Sequence, residues 1–203
     1  MKISGDAVLH APVEKVWDAL LDPAVLVRTI PGCERLEATG ENAYAMTVTA
    51  GVAAIRGTYA GSCELRDLHP HESLVLKAQG AGAPGTIGAD VQVRFADNGD
   101  GTTALTYEAD AIVGGMIGGV GQRMLTSVSK RMAGEFFGNV EQVLIGIAPV
   151  VPQEPGTPPG VFSRPPAVSS EQDFLRGMVI GAGLVLAGVV AGALFGRRHS
   201  WAP

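Results

Sequence analysis

A run of twenty residues, 177–196, carries no charge and no strongly polar side chain. As a helix rising about 1.5 Å per residue it would reach about 30 Å, the thickness of a bilayer's hydrocarbon core. Its ten large apolar residues, among them Met178, Leu184, Leu194 and Phe195, favour insertion by roughly 3 to 6 kcal/mol in total. Gly177, Gly181, Gly188, Gly192 and Gly196 lie close to one helical face, which permits close helix approach in lipid, although membrane helices also tolerate glycine for no such purpose. Arg197, Arg198 and Trp201 follow at headgroup depth. Residues 174–203 are therefore expected to be a membrane-attaching apolar helix and tail. The basic pair favours keeping the extreme C-terminus inside. The opening Met-Lys-Ile-Ser-Gly-Asp has no basic-then-apolar leader, which places the main body in the cytosol as well. A spanning and an interfacial helix both stay open.

Residues 149–173 hold seven prolines in 25 positions, with little apolar periodicity. Such a composition is expected to form a disordered, semi-stiff spacer, whose limiting reach at about 3.1 Å per residue is roughly 75 Å.

What precedes it, residues 1–148, has the size of one domain. The chain's net charge of −5 and its lack of a basic cluster exclude a nucleic-acid footprint, which must be cationic. Cys33 and Cys63 have neither metal-ligand spacing nor a disulfide framework, as fits a reducing cytosol. His69 and His71 flank Pro70 in a turn. No metal site is expected.

Periodicity sets the order of elements. Residues 2–10 read as a strand, and Pro12 opens a helix to Leu21 with Val13, Val16, Trp17 and Leu20 on its inner face. A second short helix runs from Pro23 to Ile30. Strands are expected over 35–39, 43–50, 55–68, 73–79, 87–96 and 103–113, with Asn98-Gly99-Asp100-Gly101 as a hairpin turn. A long helix is expected over 116–147, carrying the stripe Ile117, Val120, Met124, Val128, Met132, Phe136, Val140, Val143 and Ile147. Gly80-Ala81-Gly82-Ala83-Pro84-Gly85 fits a dinucleotide-binding pattern, but the strand-like Ile87-Gly88-Ala89-Asp90-Val91 follows it. No helix N-terminus is then available for a pyrophosphate, so a hairpin is expected. The class is α+β, a curled antiparallel sheet around a long C-terminal helix.

This order resembles the helix-grip fold of the START/Bet v 1-like (SRPBCC) superfamily. Ile30-Pro31-Gly32-Cys33-Glu34, Ile55-Arg56-Gly57-Thr58-Tyr59-Ala60-Gly61, Gly101-Thr102-Thr103, Val113-Gly114-Gly115, Gly121-Gln122-Arg123-Met124 and Phe136-Phe137 together resemble the family of the carbon monoxide dehydrogenase G-subunit. The resemblance covers about residues 1–145, and the leash and tail are similar to an extension that some members carry. It implies a non-catalytic accessory protein that recruits an aerobic molybdenum carbon monoxide dehydrogenase, or a related hydroxylase, to the cytoplasmic membrane. It also implies an apolar cavity between sheet and helix. With the tether, that points to a carried isoprenoid quinone, menaquinone or ubiquinone, on the cytoplasmic side of the membrane. Two other readings stay open: recruitment or assembly without a ligand, and an enzyme acting on a hydrophobic substrate.

Parity and helical face give the expected ligand-lining residues: Leu26, Ile30, Met46, Val48, Tyr59, Val91, Val93, Tyr107, Met116, Ile117, Val120 and Met124. Glycine crowding gives the expected cavity mouth: Pro31, Gly32, Gly82, Gly85, Gly114, Gly115 and Gly118. Arg56, Asp90, Tyr59 and Tyr107 are the groups that could serve as an acid or base if they reach the cavity. No catalytic set is otherwise assembled.

Overall fold

The computed structural model describes residues 1–146 and 158–164. Strand β1 (Lys2–Leu9) leads into helices α1 (Val13–Leu21) and α2 (Pro23–Thr29). Pro12 precedes α1 with a fixed φ of −57°, and the Asp22 carboxylate accepts from the Ala24 amide to cap α2. Six strands follow as a meander: β2 (Cys33–Gly40), β3 (Ala43–Val52), β4 (Ile55–His69), β5 (Ser73–Gly82), β6 (Gly85–Asp97) and β7 (Thr103–Gly115). A 3-10 turn (Ile117–Val120) precedes helix α3 (Gln122–Leu144), and β8 (Val161–Ser163) comes last.

The sheet order is β1-β7-β6-β5-β4-β3-β2-β8, every neighbouring pair antiparallel. Helices α1 and α2 carry the chain from the β1 edge to the β2 side, and α3 packs against both helices and the sheet. The Asn139 amide donates to the Thr29 carbonyl at 3.0 Å and ties α3 to α2. This is the expected helix-grip architecture, with most boundaries within three residues of those read from periodicity.

Two boundaries differ for physical reasons. The long helix begins at Gln122, because Gly121 takes a φ of +94° that ends the preceding 3-10 turn and resets the helical phase. The stripe read continuously through Ile117, Val120 and Met124 is thereby broken. Part of the expected spacer is also ordered: Val161–Ser163 pairs with β2, and the Arg164 guanidinium donates to the Arg28 carbonyl. The compact unit accordingly runs over Met1–Arg164 and does not stop at 148. Ile147 and the apolar segment 177–196 lie outside the described residues, as do the other parts of the spacer.

An antiparallel meander places alternate turns at opposite ends. The β3–β4 and β5–β6 hairpins, the end of β7 and the start of α3 share one end. The β2–β3, β4–β5 and β6–β7 turns share the other. The Gly80–Gly85 motif is the β5–β6 hairpin, with Gly82 opposite Gly85.

Candidate functional site

Side-chain size on the inner sheet face is graded along the strands. Toward the second end, Leu74, Phe95 and Leu105 meet Leu9, Val16, Trp17 and Val140 in a closed core. Trp17 stands edge-on to Phe95 at 5.5 Å between ring centroids. Toward the first end the inner positions shrink. Ala78 faces Ala89, Ala89 faces Ala111, and Gly61 faces Gly80 across neighbouring strands. Three alanines and two glycines cannot fill the space below α3, and a cavity of about 300 Å³ results. Such a volume sits at the lower end of the roughly 300–1,000 Å³ range of small-molecule sites. It can enclose a ring or a short hydrocarbon segment.

Helix α3 supplies the roof with Leu125, Val128, Ser129 and Met132, spaced three and four apart from the reset start. Ala50, Gly51 and Val52 of the β3 end, Ile87, Val113 and Ile117 complete the wall at the first end. Tyr59, Gln79 and Ser129 are the described lining residues with polar side chains, and Gln79 alternates to the outer face with Ser62 and Gly88. The Tyr59 ring leans over Gly82, where a Cβ would stand 3.1 Å from its Cδ1. Tyr59 is 8% exposed, and neither its hydroxyl nor that of Ser129 has a hydrogen-bond partner among the described residues. Neither hydroxyl is a buried unsatisfied group, so both reach accessible space, where a bound carbonyl oxygen would be an acceptor for them.

Of the twelve expected lining residues, Met46, Val48, Tyr59 and Ile117 line the cavity. The other eight do not. Leu26 and Ile30 pack in a separate cluster around Cys33, Leu36 and Cys63. Val91 and Val93 have the right parity but lie farther along β6 toward the closed core, where Val93 packs. Tyr107 lies across Gly5 of β1 and contacts Phe137 at 5.9 Å. Met116 and Met124 point to solvent, and Val120 falls in the 3-10 turn. Parity identified the face; it could not identify the level along the strand.

Of the expected mouth, Gly82, Gly85, Gly114 and Gly115 form the adjoining rim without lining the cavity itself. Gly85 pairs with Gly115, and the Ile117 amide donates to the Pro84 carbonyl, so these glycines let hairpin and turn close on each other. Gly118 lines a shallow groove that shares Met1, Ala111, Val113 and Leu125 with the cavity. Pro31 and Gly32 lie at the same end, where Gly32, at a φ of +73°, packs directly on the Thr49 carbonyl. The alanines at 78, 89 and 111 were missed. Small residues at three same-parity positions in one sheet are the signal that could have found them.

Arg56, Asp90 and Tyr107 do not line the cavity; Arg56 and Asp90 are exposed, and Asp90 lies across from Lys77 and Asp110 on the outer face. Among the described residues no cluster could hold a metal ion, and no helix there is long and apolar enough to cross a membrane. Burial raises both thiols, and Cys63, with the Cys33 thiol beside it, is pushed up to about 11.

The model of the family described as the carbon monoxide dehydrogenase G-subunit (CoxG) matches residues 5–145. A solved structure of a conserved protein from Geobacillus kaustophilus is 34% identical, covering 71% of this chain and 95% of its own, with a TM-score of 0.69. A START superfamily protein from Mycobacterium smegmatis is 12% identical, covering 72% and 99%, with a TM-score of 0.58. An aromatase/cyclase from Streptomyces sp. R1128 is 15% identical, covering 73% and 98%, with a TM-score of 0.54. The last two likenesses are of fold. No curated protein matches the sequence.

Proposed function

The chain belongs to the CoxG family, that of the carbon monoxide dehydrogenase G-subunit, and from that premise we propose that it is an accessory protein that holds an isoprenoid quinone in its apolar cavity. In this reading it presents the quinone to a molybdenum carbon monoxide dehydrogenase or related hydroxylase, which it recruits to the cytoplasmic face of the membrane. Residues 177–196 serve as the attachment. The cavity carries the proposal: about 300 Å³ walled by aliphatic side chains, with the Tyr59 and Ser129 hydroxyls unused.

Moving hydrocarbon out of water contributes about 0.8 kcal/mol per CH₂, so an apolar wall suffices for affinity. The two hydroxyls give direction, because each can donate to a carbonyl oxygen of a ring. A 300 Å³ space does not enclose a whole isoprenoid lipid. The ring and the first part of the chain go in, and the rest of the tail leaves through the first end. A binding role also fits the chemistry of the lining. Among the described lining residues the Tyr59 phenol is the one titratable side chain, which leaves a hydrolase or cyclase without an acid–base pair.

The test is solvent extraction of the purified full chain followed by mass spectrometry, together with titration by a short-chain naphthoquinone. Ala89→Leu is the matched control, since it extends into the cavity from the sheet. A co-extracted quinone in the parent, absent from a folded Ala89→Leu variant, is the expected result. Filling a void is expected to raise stability by about 0.5–2 kcal/mol, read as a higher Tm, while binding is lost. No quinone and no naphthoquinone affinity in the parent sinks the carrier reading and leaves recruitment alone. Turnover of a hydrophobic ester or polyketide, lost in Tyr59→Phe, would replace it with an enzyme.

A further inference from the structure

Six large apolar side chains stand exposed among the described residues, and four of them are at the cavity end: Ile112 at 78%, Met116 at 63%, Met124 at 44% and Ile87 at 40%. They belong to β6, the end of β7, the residue that leads into the 3-10 turn and the start of α3, around the groove that shares four residues with the cavity. Charge is distributed just as unevenly. The segments that build this end, 50–57, 80–89 and 111–124, contain Arg56 and Arg123 and no carboxylate. The turns at the opposite end, 38–43, 67–73 and 97–103, contain Glu41, Asp67, Glu72, Asp97 and Asp100 and no lysine or arginine. Among the described residues neither Arg56 nor Arg123 makes an ion pair. Arg123 sits in the first turn of α3, where the helix dipole disfavours a cation. Glu34, Asp90 and Asp110, on the outer strand faces, mark where the patch stops.

We infer that this end of the molecule is a docking face for an anionic lipid bilayer, with Ile112, Met116 and Met124 entering the interface and Arg56 and Arg123 meeting lipid phosphate. Two flexible methionines and an isoleucine that is 78% exposed suit a fluid surface. Two cations with no compensating acid, in a chain of net charge −5, orient that end toward negative charge and the acidic end away from it. The groove that shares four wall residues with the cavity opens on this face, so in this reading a lipid-soluble molecule passes between bilayer and cavity at this wall without crossing water. The inference rests on the cavity reading for its purpose, but its geometry stands apart from it.

The test uses the full chain. Cys33 and Cys63 are buried, so a single new cysteine takes an environment-sensitive fluorophore. Met116→Cys reports on the proposed face; Val8→Cys, 54% exposed and paired near the far end of β1 with Ala104, reports on the opposite one. Vesicles of phosphatidylcholine with phosphatidylglycerol are expected to shift the residue-116 emission to the blue and leave the residue-8 emission unchanged. The shift should weaken in rising salt and in Arg56→Glu/Arg123→Glu. No shift at residue 116, or equal shifts at both sites, overturns the proposal. So does a shift that is as large on uncharged vesicles, or one that grows with protein concentration alone, which would mean a second copy covers the face. A residue-116 shift in a protein that binds no naphthoquinone keeps the docking face and sinks the cavity reading; naphthoquinone binding without the shift does the reverse.

Discussion

Ala78, Ala89 and Ala111 decide more about this protein than any of its polar residues. Each sits at an inward position of its strand, and the three are in register across β5, β6 and β7. A leucine at any of them would take up part of the hollow at its floor. The sequence shows that these positions face inward, since parity is local. It does not show that they share one level, because register across a sheet is set by hairpins far apart in the chain. The same reason explains Tyr107, read as lining and found lying over Gly5, which leaves it room by having no side chain. Cys63 offers a test at this scale. Its pKa is pushed from 9.0 to about 11 by burial first and by Cys33 second. The unfolded chain therefore loses this proton at lower pH than the folded one, and stability falls as pH rises from about 9 to about 11. A shift of two units corresponds to about 3 kcal/mol at most. Chemical denaturation of the parent across that window is expected to show the decline, and Cys63→Ala to reduce it, with Cys33, whose thiol burial also raises, contributing to the rest.

Among the elements, α3 and β8 are where local reading and structure part company. The apolar stripe of α3 was legible from Val128 onward, because a 3.6-residue period needs only neighbours in the chain. Upstream it fails at Gly121, whose φ of +94° separates a 3-10 turn from the helix and replaces Met124 by Leu125 as the inward residue. Strand β8 was invisible in a proline-rich run, since three residues carry no periodicity. What makes it a strand is the open edge of β2 and the burial of Val161 beside Phe162, which packs on the second core cluster. It covers an edge that would otherwise offer unpaired backbone groups to other chains. Val161→Asp is expected to release this strap at a cost of at most about 3 kcal/mol, the burial of one valine. Limited proteolysis should then cut near residues 158–164 while the domain stays folded. Unchanged resistance would mean that the strap does not depend on Val161.

The described domain is polarised in two respects along the strand direction. One end is apolar, cationic and hollow; the other is acidic and solidly packed. Under the proposed function the apolar segment 177–196 has a simple role, to keep the hollow end within reach of lipid. Deleting residues 174–203 is expected to move the protein from the membrane to the soluble fraction, with the head still able to bind a naphthoquinone. Fractionation unchanged by the deletion would assign attachment to the docking face or a partner. From the residues alone came the α+β class, the order of elements, the family resemblance, the hairpin reading of the glycine-rich motif and the apolar tail. All of these depend on periodicity, composition or short motifs, which are properties of nearby residues. The tertiary structure decided the level of the cavity, the reset of α3, the strap on β2 and the gathering of Arg56, Arg123, Ile112 and Met116 at one end. Those depend on which distant segments the sheet brings into register, and no local pattern in the chain encodes that.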